Sequence, residues 1–117
     1  IRDRLTEKGM LIVAVPNCSS YDAGRYGEYW AAYDVPRHLW HFTPVTIQQL
    51  ASRHGFIMAA RHPMPFDAFY VSMLSEKHRG SSCSFLKGMY AGTLAWFSTL
   101  GRKERSSSMI YVFRKKR

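Results

Sequence analysis

A chain of 117 residues, 46% hydrophobic and 15% aromatic, has the length for one modest core and is too apolar to be disordered in its main state. The formal charge of +9 raises the question of nucleic acid, yet much of the excess lies at Arg102, Lys103, Arg105 and in the tail Arg114-Lys-Lys-Arg117. A solvated terminus explains that placement equally well, so position argues against a nucleic-acid partner.

Ile1 opens the chain without a methionine, and residues 1–8 read as the end of a helix feeding a strand, so an upstream segment is expected. Met10-Leu-Ile-Val-Ala-Val15 is an unbroken apolar run between Gly9 and Pro16. This is the pattern of a strand buried on both faces, as in a sheet covered by helices. Between Cys18 and Phe42 no period survives. Gly24 and Gly27 interrupt any helix, and the segment reads as a long loop containing one short helical turn. Cys18 and Cys83 stand far apart without a CxxC partner or a signal-peptide pattern. Reduced thiols and a cytoplasmic setting are expected.

The best-marked helix follows, over residues 44–54. Thr43 can cap it, Pro44 fits its first position, and Phe42 and Ile47 have the spacing of a hydrophobic staple. Ile47, Leu50 and Ala51 form its apolar stripe, and Gly55 supplies the stop. Residues 56–61 read as a second strand, ended by Pro63 and Pro65, and residues 66–78 as a helix. From Phe85 to Leu100 the chain is nearly all apolar, with Lys87 as its one charge. About 16 residues fall short of the roughly 20 that span a bilayer. Two readings stay open: a helix packed on the sheet as core or lid, or a surface for a lipid-like acceptor or a membrane, which would make the protein membrane-peripheral. Met109-Ile-Tyr-Val-Phe113 is the last strand.

One connection is richer than a spacer requires. Asp34-Val-Pro-Arg-His-Leu-Trp-His-Phe-Thr-Pro44 carries an arginine, two histidines, a tryptophan and a phenylalanine where a strand hands over to a helix. Ligand sites concentrate on such connections.

Lys8-Gly9-Met-Leu-Ile-Val-Ala-Val-Pro16-Asn17 resembles the fifth strand of class I S-adenosylmethionine-dependent methyltransferases. Tyr33 through Pro44, with a helix ending in His54-Gly55-Phe56, is similar to the segment that follows this strand in bacterial enzymes of the ubiquinone/menaquinone-biosynthesis-like group. The resemblance covers about residues 5–62, and beyond Arg61 only the layout matches. It implies an α/β fold, the C-terminal half of a Rossmann-like methyltransferase sheet with three strands, the last antiparallel between the other two. Residues 1–117 would be a single partial domain with a helical insertion over 66–107.

The resemblance further implies S-adenosylmethionine as cofactor. However, no strand followed by a Gly-rich turn and no ribose-binding carboxylate occurs, so the main cofactor motif is absent and Pro16 alone is a candidate contact. The acceptor, small or lipid-like, would lie at the carboxyl edge of the sheet. Tyr29, Trp30, Tyr33 and Trp40 can form an apolar wall, Arg37 can hold an anionic group, Asn17 can contact the acceptor, and His38 or His41 can act as base. Each has a plainer reading. Trp40 and Phe42 can anchor a lid by packing, the histidines can bond loop backbone, Arg37 can pair with Asp34 or Asp22, and Asn17 can cap the strand end. No cysteine or carboxylate cluster completes a metal site around His38 and His41. Alone the chain should be inactive, and an exposed sheet edge invites self-association. The rival reading is a basic α/β module that binds nucleic acid or an acidic partner.

Overall fold

The computed structural model describes residues 1–117. The three apolar runs form strands β1 (Met10–Pro16), β2 (Phe56–Met64) and β3 (Ser108–Lys115). Their order is β1-β3-β2, with β3 antiparallel to both neighbours, Val13 opposite Tyr111 and Phe113 opposite Met58. The last strand therefore sits in the middle, so β1 and β2 run parallel to each other across it. With helices α1 (Tyr21–Tyr26), α2 (Pro44–Arg53), α3 (Asp67–His78) and α4 (Ser84–Gly101), the chain is α/β.

Helix α2 forms as its sequence dictates. Thr43 Oγ1 accepts from the Thr46 amide, the Thr43 amide donates to Thr46 Oγ1 at 2.8 Å, and Pro44 occupies the first turn, where its missing N–H leaves nothing unpaired. Gly55 takes φ 77° to turn the chain into β2, a conformation that costs a residue with Cβ. Ile47 then packs with Phe56, Met109, Tyr111 and Phe113, so α2 covers one face of the sheet.

Several expectations need correction. β1 is covered on one side only: Leu11, Val13 and Val15 face α2, whereas Met10 and Ile12 are exposed, Ile12 at 64%. An unbroken apolar run reports strand formation, not what covers each face. β2 continues past Arg61 to Met64, with a bulge between Met58 and Ala60. It pairs with β3 alone, and an edge strand tolerates Pro63 because its missing N–H can fall on the side without a neighbour. Leu50 is exposed on α2, leaving Ile47 and Ala51 as the buried stripe. Residues 1–8, expected as the end of a helix, hold a 3₁₀ turn at Arg2–Arg4.

The supposed long loop is largely helical turns. Ser20 Oγ caps α1 by accepting from the Ala23 amide at 3.2 Å, and Gly24 lies inside that helix. Gly27, at φ 55°, ends it, and 3₁₀ turns follow at Gly27–Tyr29 and Ala31–Tyr33. Burial decides against glycine's low propensity here: Ala23, Tyr26, Trp30, Ala31 and Ala32 form a second apolar cluster with Val71 of α3 and Ala91 of α4. The molecule thus has two apolar cores and measures 53 × 31 × 18 Å.

Candidate functional site

The carboxyl end of β1 is held by a buried polar junction between the two cores. Asn17 is 1% exposed. Its Nδ2 donates to the carbonyls of Glu104 (2.7 Å) and Ser106 (3.0 Å), while its Oδ1 accepts from the Ser19 amide (3.1 Å) and hydroxyl (2.7 Å). Every side-chain hydrogen-bonding position normally open to an amide is engaged, so Asn17 ties β1 to the segment entering β3 and has nothing left for an acceptor. The Cys18 amide donates to the Phe42 carbonyl at 3.0 Å, which fastens the far end of the aromatic connection to the same point.

Asp22 completes this junction. It is fully buried, and its Oδ2 accepts from Trp30 Nε1 at 2.8 Å and from the Ser107 hydroxyl at 2.6 Å. Trp30 is therefore a core residue with its indole N–H engaged, not part of an exposed wall. Sequence reasoning missed Asp22, Ser106 and Ser107 as structural residues. Their only trace is a run of three serines before the last strand, and the partners lie 85 or more residues apart.

Three of the aromatic candidates form a chain of edge contacts. Tyr33 stands 5.0 Å from Trp30 and 4.9 Å from His41, ring centre to ring centre. His41 Nε2 lies 2.9 Å from the Tyr33 carbonyl oxygen. A carbonyl only accepts, so His41 carries a proton on Nε2, and in its neutral form Nδ1 is the nitrogen that can take one. His38 is exposed, as is Tyr29. Arg37 extends into solvent and reaches Asp34 at 3.8 Å, an exposed pair worth little, which leaves the guanidinium available to an anion. Asp22 is not its partner. Asp34 sits at φ 41°, a left-handed position that a short polar side chain tolerates, and this turns the chain out of the preceding 3₁₀ turn.

Trp40 does not anchor the connection: it is 81% exposed. It overlooks a hollow of about 470 Å³ formed with Phe42, Leu50 and Arg53. A second hollow of about 560 Å³ shares Phe42 and Leu50 and runs between α2 and the sheet along Leu11, Val13 and Phe113. The first hollow is half polar, with Thr46, Gln49 and Arg53 in its lining, and the second is mostly apolar. The structure thus brings Trp30, Tyr33 and His41 together and leaves His38, Trp40 and Arg37 at the exposed tip.

The residues present do not fit a cradle for S-adenosylmethionine. Pro16 pairs within the sheet opposite Ser108, Asn17 is saturated, and Asp22 is enclosed by Trp30 and Ser107. Gly88 and Gly92 are used in helix packing. No three His, Cys, Asp or Glu side chains converge as metal ligands. Both cysteines are free, and burial pushes the Cys18 thiol above its ordinary range, away from a reactive thiolate. No protein-family model, curated protein or solved structure matches the chain.

Proposed function

We propose that this chain is the acceptor-side part of a Rossmann-like, S-adenosylmethionine-dependent methyltransferase domain whose parent enzyme acts on a small or lipid-like acceptor. The observation that carries the reading is the sheet order: the last strand runs antiparallel between β1 and β2, the arrangement implied by the residues that resemble this family. The connection following β1 supports it, since it leaves the carboxyl end of that strand and returns to it through the contact between Asn17 and Phe42.

In this reading Trp40 and Tyr29 supply exposed aromatic faces to an apolar acceptor and Arg37 meets an anionic group on it. His41, oriented by Tyr33, offers Nδ1 as a base, with His38 as the second candidate. The chain holds no cradle for the cofactor, so alone it is inactive. The outer edge of β1 has no strand beside it and carries neither charge nor a proline before Pro16, which makes it the place where this chain self-associates.

Titration of the natural gene product that carries these residues with S-adenosylhomocysteine and with a short RNA tests the reading. Saturable binding of S-adenosylhomocysteine with at most weak RNA binding is expected. RNA binding with a steep salt slope, and no heat from S-adenosylhomocysteine, would replace it by a basic binding module.

A further inference from the structure

Helix α4 is built the reverse way from a helix that packs in water. Its inner face is Gly88, Ala91, Gly92, Ala95 and Thr99, all buried. Its outer face carries Leu86, Met89, Tyr90, Phe97 and Leu100, all exposed, Leu86 at 69% and Phe97 at 57%. At roughly 100° per residue these five large side chains fall within about 100° of one another, directly opposite the small ones. Periodicity is therefore strong, but the side turned inward is the small one.

The glycines fix this arrangement. A Cβ on Gly88 would stand 2.5 Å from Met73 Cα, and one on Gly92 would stand 2.7 Å from Phe69 Cα, so α4 and α3 touch backbone to backbone. Close approach through small residues with large apolar residues outside is how helices associate when their surroundings are themselves apolar. In water the same sequence leaves these five side chains exposed, with the half-buried Trp96 and Leu94 at the flanks. The outer stripe and Phe85 together expose on the order of 600 Å² of apolar surface, at or above the largest patch a soluble monomer ordinarily shows.

Charge identifies the occupant. Helix α4 contains no acidic residue and carries Lys87. Lys77 and Arg79 lie at the α3 end that leads into it, and Arg102, Lys103 and Arg105 follow its last turn. The acid among them, Glu104, is paired with Arg61. An apolar stripe with cations at both ends matches an anionic interface with the helix lying in its plane. No helix of the chain is long and apolar enough to cross a membrane, which leaves the in-plane geometry for α4.

We infer that the α3–α4 hairpin docks flat on an anionic lipid bilayer, with Leu86, Tyr90, Phe97 and Leu100 at the boundary between headgroups and acyl chains. The inference goes beyond methyl transfer and stands or falls without it. The probe is co-sedimentation of the full chain with phosphatidylcholine vesicles, with and without phosphatidylglycerol. Binding should require phosphatidylglycerol and weaken with salt. The double variant Leu86→Glu/Phe97→Glu, verified as folded by circular dichroism, should lose at least about a hundredfold in affinity. Arg102→Gln/Lys103→Gln, which leaves the stripe untouched, should lose roughly thirtyfold. Ile12→Lys, on the exposed face of the sheet, should bind as the wild type does. Three results would each overturn the inference: no binding by the folded wild type, undiminished binding by Leu86→Glu/Phe97→Glu, or an equal loss in Ile12→Lys. A dimer that Leu86→Glu/Phe97→Glu dissolves, without vesicle binding, would assign the stripe to a second copy and equally overturn it.

Discussion

On the covered face of the sheet the large side chains turn inward: Met109, Tyr111 and Phe113 of β3 lie under α2 through Ile47, with Phe56 beside them. In the hairpin Leu86, Met89, Tyr90, Phe97 and Leu100 of α4 turn outward, and its glycines and alanines face inward, with Gly88 and Gly92 against α3. Both halves are apolar and helix-bearing, and both bury large side chains, Tyr26 and Trp30 in the helical core as well as β3 under α2, yet helix α4 turns Leu86, Tyr90, Phe97 and Leu100 to the outside, against the rule that burial of large side chains drives packing in water. Hydrophobic content therefore says how much surface is to be covered, and the position of the small residues says by what. Between the halves lies the polar junction of Asn17, Asp22 and Ser107, which is directional where the cores are not.

The contrast breaks most sharply at Gly88. Gly88→Leu must push α4 off the Met73 backbone and should cost on the order of 3 kcal/mol or more in denaturant unfolding. Gly24→Ala, where an added Cβ meets nothing within 4 Å, should be neutral or stabilise by about 0.5 kcal/mol. An equal loss at both glycines would mean that close helix approach is not what holds the hairpin.

Asn17→Ala tests the junction. It leaves the Glu104 and Ser106 carbonyls without their donor, and a loss of about 2–3 kcal/mol is expected in the same measurement. A loss below about 0.5 kcal/mol would reduce the junction to a surface feature.

The sheet core has its own alkaline signature. Burial pushes the Tyr111 hydroxyl up to about 12 from its ordinary value of 10.0, and burial raises that of Tyr26 in the helical core as well, helped by its bond to Glu76. A phenol raised in the folded state is stabilising below the unfolded value, and that contribution is lost as pH climbs toward the folded one. Stability should therefore fall between pH 10 and about 12, by on the order of 2 kcal/mol for Tyr111. Tyr111→Phe should flatten that part of the curve, and an unchanged slope would place the tyrosine in water. The smallest effect belongs to the outer stripe, where Phe97→Glu should alter stability in vesicle-free buffer by less than about 0.5 kcal/mol because the side chain already meets water.

Local signals were the most legible. Thr43, Pro44 and Gly55 mark α2 because capping chemistry acts within a few residues, and the structure ends that helix at Arg53, one residue before the expected stop. Apolar runs located the three strands but not their coverage, since a run cannot report which face of Ile12 meets a neighbour. Strand order came from resemblance, because hydrogen-bond partners are set by tertiary contacts. The run from Phe85 to Leu100 reads as nearly all apolar and contains Gly88 and Gly92, whose four-residue spacing marks the inner side of α4. In the connection, the sequence separation of three residues makes Asp34 a ready partner for Arg37, and the structure pairs them. The enclosure of Trp30 by Asp22 depends on Ser107, 85 residues along the chain from Asp22, and no local pattern carries it.

Hydrogen exchange on the natural gene product, with and without S-adenosylhomocysteine, tests the acceptor-side assignment most directly. Slower exchange is expected in residues 29–42 on ligand addition, with α2 and the outer face of α4 unchanged. Identical exchange in residues 29–42 at saturating ligand would contradict it.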